Sequence, residues 1–169
     1  MTPPLATAAE HAVIVGLGEL KLSDDSDVVL TCLGLGSCVG VTAYDSVNKV
    51  AGMAHVVLPQ DPGKSTPATA KFANIAIPLL IEEMEKQGAV KRNLLVKIVG
   101  GAQMSLAAGL GSTFHIGEKN QAAVKDLLKK LGVRIAGETL GGNKGRSLRL
   151  WVGTGKTTVS SAGEEPREL

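Results

Sequence analysis

Short apolar runs recur at seven places along the chain: 12–15 (Ala-Val-Ile-Val), 27–33, 38–44, 50–57, 94–99 (Leu-Leu-Val-Lys-Ile-Val), 133–138 and 147–153. They are rich in valine and separated by polar or glycine-containing stretches, so each predicts a strand. Two segments follow a helical period instead. Over 119–131, Val124, Leu127, Leu128 and Leu131 share one face, and Gly132 supplies the stop. Over 68–87 the apolar face is Phe72, Ile75, Leu79, Leu80 and Met84, with Gly88 as the end. Pro78 lies inside that second pattern, where it lacks a backbone donor and crowds the preceding turn, so a kink or a helix start is expected near it.

Strands dominate first and then alternate with helices. The expected fold is α/β of the α+β kind: a single-domain layered sandwich with a mixed, largely antiparallel sheet and two main helices packed on it. Residues 1–10 read as a flexible tail, 11–158 as one catalytic domain and 159–169 as a polar tail, with a loop at 60–67. No internal repeat or second domain is visible.

Composition narrows the function classes. The chain has 169 residues, enough for one core. Phe72, Phe114, Tyr44 and Trp151 are its only aromatics, so the core must be aliphatic, packed with the help of 21 glycines. The formal charge of +2 comes from interspersed acids and bases, without the basic stripe that nucleic acid would need. No apolar run is long enough to span a bilayer, and the N-terminus lacks a basic region followed by an apolar one. The expected place is a reducing cytoplasm, where Cys32 and Cys38 stay free thiols.

Three motif-like features carry little. Gly153-Thr-Gly-Lys-Thr-Thr resembles the end of a phosphate-binding loop, but the required first glycine is Leu150 and no helix follows. It reads as a strand-ending turn. Val15-Gly-Leu-Gly and Leu33-Gly-Leu-Gly lack the helix and third glycine of a dinucleotide fingerprint, and tight turns explain both. Cys32, Cys38, His11, His55 and His115 show no metal-ligand spacing, so no metal is expected.

The chemistry is concentrated at Leu33-Gly-Leu-Gly-Ser-Cys-Val-Gly-Val. Three glycines strip bulk from around one thiol and permit close backbone approach. Sharp turns there can aim the amides of Ser37 and Cys38 at an oxyanion. If 38–44 and 50–57 form a hairpin with Ser46 and Val47 at its tip, Cys38 faces His55 directly, with Cβ atoms roughly 5 Å apart. An imidazolium there would lower the thiol pKa and could protonate a departing amine. The bland alternative is a buried small hydrophobe at Cys38 and a satisfied strand histidine at His55.

The same segment, followed by Gly52-Met-Ala-His-Val-Val-Leu-Pro, resembles the chemoreceptor glutamine deamidase family, CheD. The likeness continues in Lys97-Ile-Val-Gly-Gly-Ala-Gln-Met, Ile116-Gly-Glu-Lys-Asn and Gly141-Gly-Asn-Lys-Gly-Arg, in the family's order. The resemblance implies a cysteine hydrolase, a protein-glutamine glutaminase, that converts receptor glutamines to glutamate. In some members it also cleaves receptor glutamate methyl esters. It further implies a layered fold, chemoreceptor cytoplasmic domains as substrate, a phosphatase partner (CheC), and a place at receptor arrays. The family's nucleophile falls on Cys38 and its histidine on His55.

The family's third catalytic residue, a threonine six positions before the cysteine, falls on Cys32, with Thr31 one step earlier. Either Cys32 occupies that place, as strand parity favours, or a bulge brings Thr31 inward. Ser37 is expected to act through its backbone amide. Gly100-Gly101 and Gly141-Gly142 read as turns beside the site, Asn120 as a helix cap and Arg146 as a solvated strand residue; His115 has no role.

The implied mechanism is acyl transfer. The Cys38 thiolate attacks the glutamine carbonyl, His55 protonates the departing ammonia, and water hydrolyses the thioester, with no metal or organic cofactor. Two other classes remain open: a non-catalytic receptor- or CheC-binding module, and a general thiol hydrolase or redox protein. The lack of a CxxC argues against the redox form.

Overall fold

The computed structural model describes residues 10–63, 69–104 and 115–169. The expected tail at 1–10 lies, apart from Glu10, outside the described residues, as does the second half of the loop at 60–67. In chain order the elements are β1 (His11–Ile14), β2 (Leu20–Ser23), β3 (Val28–Leu35), β4 (Val39–Asp45), β5 (Val50–Val56), α1 (Ala73–Lys86), β6 (Leu94–Gly100), α2 (Ile116–Lys130), β7 (Ile135–Leu140), β8 (Arg146–Trp151), β9 (Thr157–Ser161) and β10 (Arg167–Glu168).

The strands form two sheets, ordered β1-β3-β8-β9-β10 and β2-β5-β4-β6-β7. Only β1–β3 and β6–β7 are parallel pairs. The architecture is the expected mixed, largely antiparallel α+β layering, with two sheets where the chain pattern suggested one. The second sheet is the middle layer. Even-numbered residues of β5 face the helices: Gly52 sits so close to α1 that a Cβ there would lie 2.7 Å from Met84 Sδ. Odd-numbered residues, Ala51 and Met53 among them, face the first sheet, where they join Leu30, Cys32, Leu35, Leu148 and Leu150 in a second core. This alternation is the ordinary two-residue period of a strand buried on both faces.

Several expectations are corrected. Residues 159–169 are not a polar tail: β9 and β10 lie there, and Lys97 Nζ holds the Leu169 carbonyl oxygen at 2.7 Å. β9 (Thr-Thr-Val-Ser-Ser) is polar in composition, yet Thr157 and Thr158 are buried by pairing with β8. β2, with two leucines in four residues, pairs with β5 but was too short to stand out. The first helix begins at Ala73, not 68, because the preceding backbone is used otherwise: the Lys71 carbonyl accepts from Val57 and Leu58, and Ala70 N–H donates to Gly18. Its buried face is Ala73, Ala76, Ile77, Leu80, Ile81 and Met84, rotated from the expected one, and the helix runs through Pro78. The second helix starts three residues early, at Ile116.

The turn between β4 and β5 rests on one carboxylate. Asp45 is buried, and its oxygens accept from the amides of Val47, Asn48 and Val90 and from Asn48 Nδ2, at 2.8–3.0 Å. Burial alone would raise its pKa, but these bonds outweigh it and bring the group down to about 2. The folded value is below the ordinary one of 3.8, so this stabilisation is present above about pH 4 and lost as pH falls through about 2. Urea unfolding of Asp45→Ala should show a loss of about 2–4 kcal/mol at pH 7, because three backbone donors lose their acceptor. That deficit should shrink on acidification toward pH 2.

Candidate active site

Cys38 is half-buried and ends a bend, 36–38, that leads into β4. Three successive carbonyls of the bend are anchored. Gly36 O accepts from Ala102 N–H at 2.9 Å, Ser37 O from Asn120 Nδ2 at 2.9 Å, and Cys38 O from Gly101 N–H at 2.8 Å. Gly100 makes this approach possible: at φ 115° it passes so near the Cys38 carbonyl that any Cβ would collide with it. The Gly100-Gly101 pair is thus a turn against the Cys38 bend, and Gly141 N–H in turn bonds Gly100 O at 3.0 Å. Among the described residues no backbone carbonyl takes the amides of Ser37 or Cys38, and the Cys38 amide lies beside its own sulfur.

His55 is gripped by the turn after β1. Its amide donates to Glu19 O, its carbonyl accepts from Gly18 N–H, both at 3.0 Å, and its Nδ1 lies 3.0 Å from Val15 O. A carbonyl can only accept, so Nδ1 carries the proton and Nε2 keeps a lone pair. Among the described residues, Nε2 is buried and has no hydrogen-bond partner. The Val15-Gly-Leu-Gly segment therefore is a tight turn, and it holds this histidine.

The β4–β5 register differs from the hairpin expectation. Asp45 pairs with Val50 across a four-residue turn, so His55 faces Gly40, and Cys38 lies two positions along. The cause is Asp45, whose side chain builds the wider turn. A shift of two residues preserves the face. Cys38 and His55 therefore stand on the same side of the middle sheet, at one edge of the core between the sheets, as diagonal neighbours rather than a facing pair.

The two residues considered for the family's threonine place separate cleanly. Thr31 Oγ1 donates to Val29 O in its own strand at 3.1 Å. Thr31 pairs with Ile14, a residue 45% exposed, on the outer side of the first sheet. The irregularity in β3 falls after it, between Cys32 and Leu35. Cys32 faces inward, with Sγ 3.6 Å from Val15 O and 3.4 Å from Met53 Sδ. Cys32 and His55 thus share one carbonyl acceptor, a group with no signature in the sequence.

Electrostatics also depart from expectation. Burial pushes the Cys38 thiol up, opposed by its own amide. Cys32 is pushed up to about 12, chiefly by burial. Both environments thus favour the protonated thiol over the thiolate.

Asn120 is fully buried on α2, and its Nδ2 also reaches Val57 O at 2.9 Å, so it is no helix cap. Gln121 Nε2 holds Gly101 O at 2.7 Å. Arg146 is half-buried, not solvated, with Nη1 3.4 Å from Gly100 O. His115 lies in the left-handed region at the start of α2, 3.5 Å from Glu118. Among the described residues, no three His, Cys, Asp or Glu side chains converge. Gly153–Gly155 forms the turn between β8 and β9 against the Tyr44 ring.

The sequence model of the family described as CheD chemotactic sensory transduction matches residues 57–161. A protein of Symbiobacterium thermophilum named "Probable chemoreceptor glutamine deamidase CheD" is 40% identical over 158 residues, covering 92% of this chain and 95% of that protein. Proteins of the same name from Clostridium botulinum strains Hall and Kyoto are 38% identical over 156 residues, covering 92% of this chain and 96% of theirs.

The geometry sets the order of thiol reactivity. Iodoacetamide should label Cys38 and leave Cys32 untouched in the folded protein. The Cys38 rate should climb with pH through 8.5, the ordinary thiol value, without levelling off near neutrality. Peptide mapping at pH 6, 7, 8 and 9 reads both; a plateau below pH 7 would mean a preformed ion pair.

Proposed function

The chain belongs to the CheD family, and from that premise we propose that it is a protein-glutamine glutaminase acting on cytoplasmic domains of chemoreceptors at receptor arrays. The observation that carries this reading is the fixed tautomer of His55: Nδ1 is committed to Val15 O, and Nε2 is a buried, unpartnered base on the same sheet face as Cys38.

In the proposed reaction the Cys38 thiol passes its proton to His55 Nε2 as sulfur attacks the glutamine side-chain carbonyl. The amides of Ser37 and Cys38, free of backbone acceptors, hold the oxyanion. His55 then protonates the departing ammonia. A water molecule, deprotonated by His55, hydrolyses the thioester and releases glutamate and the free thiol. Receptor glutamate methyl esters would follow the same path with methanol leaving. We assign the orienting role to the Val15 carbonyl, with Cys32 beside it and Thr31 outside the machinery.

A macromolecular substrate fits the surroundings. Leu17 lies in the Val15–Glu19 turn, Leu33 precedes the Cys38 bend, and Met104 occupies the space that a Cβ on Gly36 would meet; they are 71%, 50% and 45% exposed. Exposed apolar side chains on three segments around one site suit contact with another protein. A CheC-type phosphatase is the proposed regulatory partner.

Incubation with a receptor cytoplasmic fragment, followed by peptide mass analysis, tests the reading: each deamidated glutamine gains about 1 Da, the mass difference between NH2 and OH. Cys38→Ala should abolish conversion. His55→Ala should cut the rate about 10²–10⁴-fold. Conversion by Cys38→Ala at the wild-type rate would overturn the mechanism, whereas binding without conversion by the wild type would favour a non-catalytic module.

The orienting residue can be tested separately. Thr31→Ala should leave the rate within about twofold, since its hydroxyl serves its own strand. Cys32→Ala should lose no more than several-fold, because Val15 O remains. A 100-fold loss in either variant, measured by the same assay, would return the orienting role to a side chain.

A further inference from the structure

We infer that Asn120 is a positioning residue that sets the spacing between the nucleophile bend and the strand carrying the base; the inference rests on the reading of Cys38 and His55 given above. Asn120 lies on α2, outside both segments. Its Nδ2 donates to Ser37 O, one residue before Cys38, and to Val57 O, two residues after His55, each at 2.9 Å. The amide orientation is fixed by these partners, since both are carbonyls and only the NH2 end can bond them.

That commitment has a consequence. With both Nδ2 hydrogens used, Oδ1 is left buried without a donor among the described residues. An orphaned buried acceptor is unfavourable and is retained where something else requires the group. The requirement visible here is the bridge itself. β4 and β5 are paired from Val39–Val56 onward, so the ladder stops short of Cys38. Beyond it, Asn120 is the side chain that bonds both continuing strands. An aliphatic residue would fill the space and remove the orphan, but it would leave two carbonyls unpaired and the spacing of Cys38 and His55 undefined.

Asn120→Asp tests this with an almost isosteric side chain that cannot donate twice, and Asn120→Ala removes the bridge altogether. Both are assayed for deamidation of a receptor fragment and for iodoacetamide labelling. The expected result is a fall in kcat of about 10–100-fold with KM within about threefold, the scale of a lost support beneath a catalytic group. Cys38 should label faster at pH 7–8, its bend released and its thiol pKa moving down toward the ordinary value, while Cys32 stays protected.

Wild-type kcat together with a wild-type Cys38 labelling profile in Asn120→Asp would overturn the inference. So would Cys32 becoming reactive in step with Cys38, which marks a general loss of packing. If Asn120→Ala does not fold, Asn120→Asp decides alone. If the wild type deamidates no receptor fragment, the substrate reading fails, and the labelling experiment still decides whether Asn120 holds the bend.

Discussion

Hydrogen bonds along both edges of β4 determine where Cys38 can be. The strand is buried throughout, pairs with β5 on one side and β6 on the other, and is held at its far end by the Asp45 carboxylate. Sliding β4 by one residue would break two ladders and turn its valines from the helices toward the other sheet. The bend before it therefore starts from a fixed point. The Gly100-Gly101 turn, which ends the β6 ladder, closes on that bend from one side, and the Val15–Glu19 turn closes on His55 from the other. The proposed site sits where the middle sheet runs out of strand partners and its last residues are held by turns and one asparagine.

That placement explains a thiol whose pKa is raised. Cys38 lies at the rim of an apolar layer, where a resting thiolate would be poorly solvated, and its environment offers one amide, its own. Negative charge is better accommodated once a substrate carbonyl is present to become the oxyanion. In the proposed reaction, proton transfer to Nε2 is then coupled to attack instead of preceding it, much as a serine nucleophile is used. A thiol held in its protonated form is also less open to stray electrophiles and oxidants, since the thiolate is the reactive species.

Much of this was legible in the chain. The strands 38–44 and 50–57 and the pairing of Cys38 with His55 on one face followed from apolar runs and parity. The register was not, because Asp45 closes a four-residue turn by accepting from Val47 and Asn48, where apolar runs and parity suggest the shorter two-residue tip. β9 was hidden by its hydroxyl side chains, which resemble a tail until β8 supplies a partner. The start of α1 was displaced because its expected first turn is spent on pairing with the end of β5. Asn120 was visible only as part of the Ile116-Gly-Glu-Lys-Asn resemblance; its bridge joins positions that are neighbours only in the folded chain.

At position 32 a thiol stands where the family's threonine would fall, and the surrounding contacts differ accordingly. A carbonyl oxygen has two lone pairs, and Val15 O serves two donors, His55 Nδ1 at 3.0 Å and Cys32 Sγ at 3.6 Å. A hydroxyl at 32 would either take that oxygen as a stronger competitor or accept from Nδ1 itself. A thiol does neither well, so the oxygen is left chiefly to the histidine. The backbone acceptor is itself held, since Val15 N–H bonds Thr31 O and the side chain is buried between the sheets. No substitution at a single position removes a main-chain carbonyl. In the proposed site, orientation of His55 is thus carried by the path of the chain through Val15-Gly-Leu-Gly, and position 32 is released to a residue whose main contacts, Met53 and the surrounding core, are those of packing.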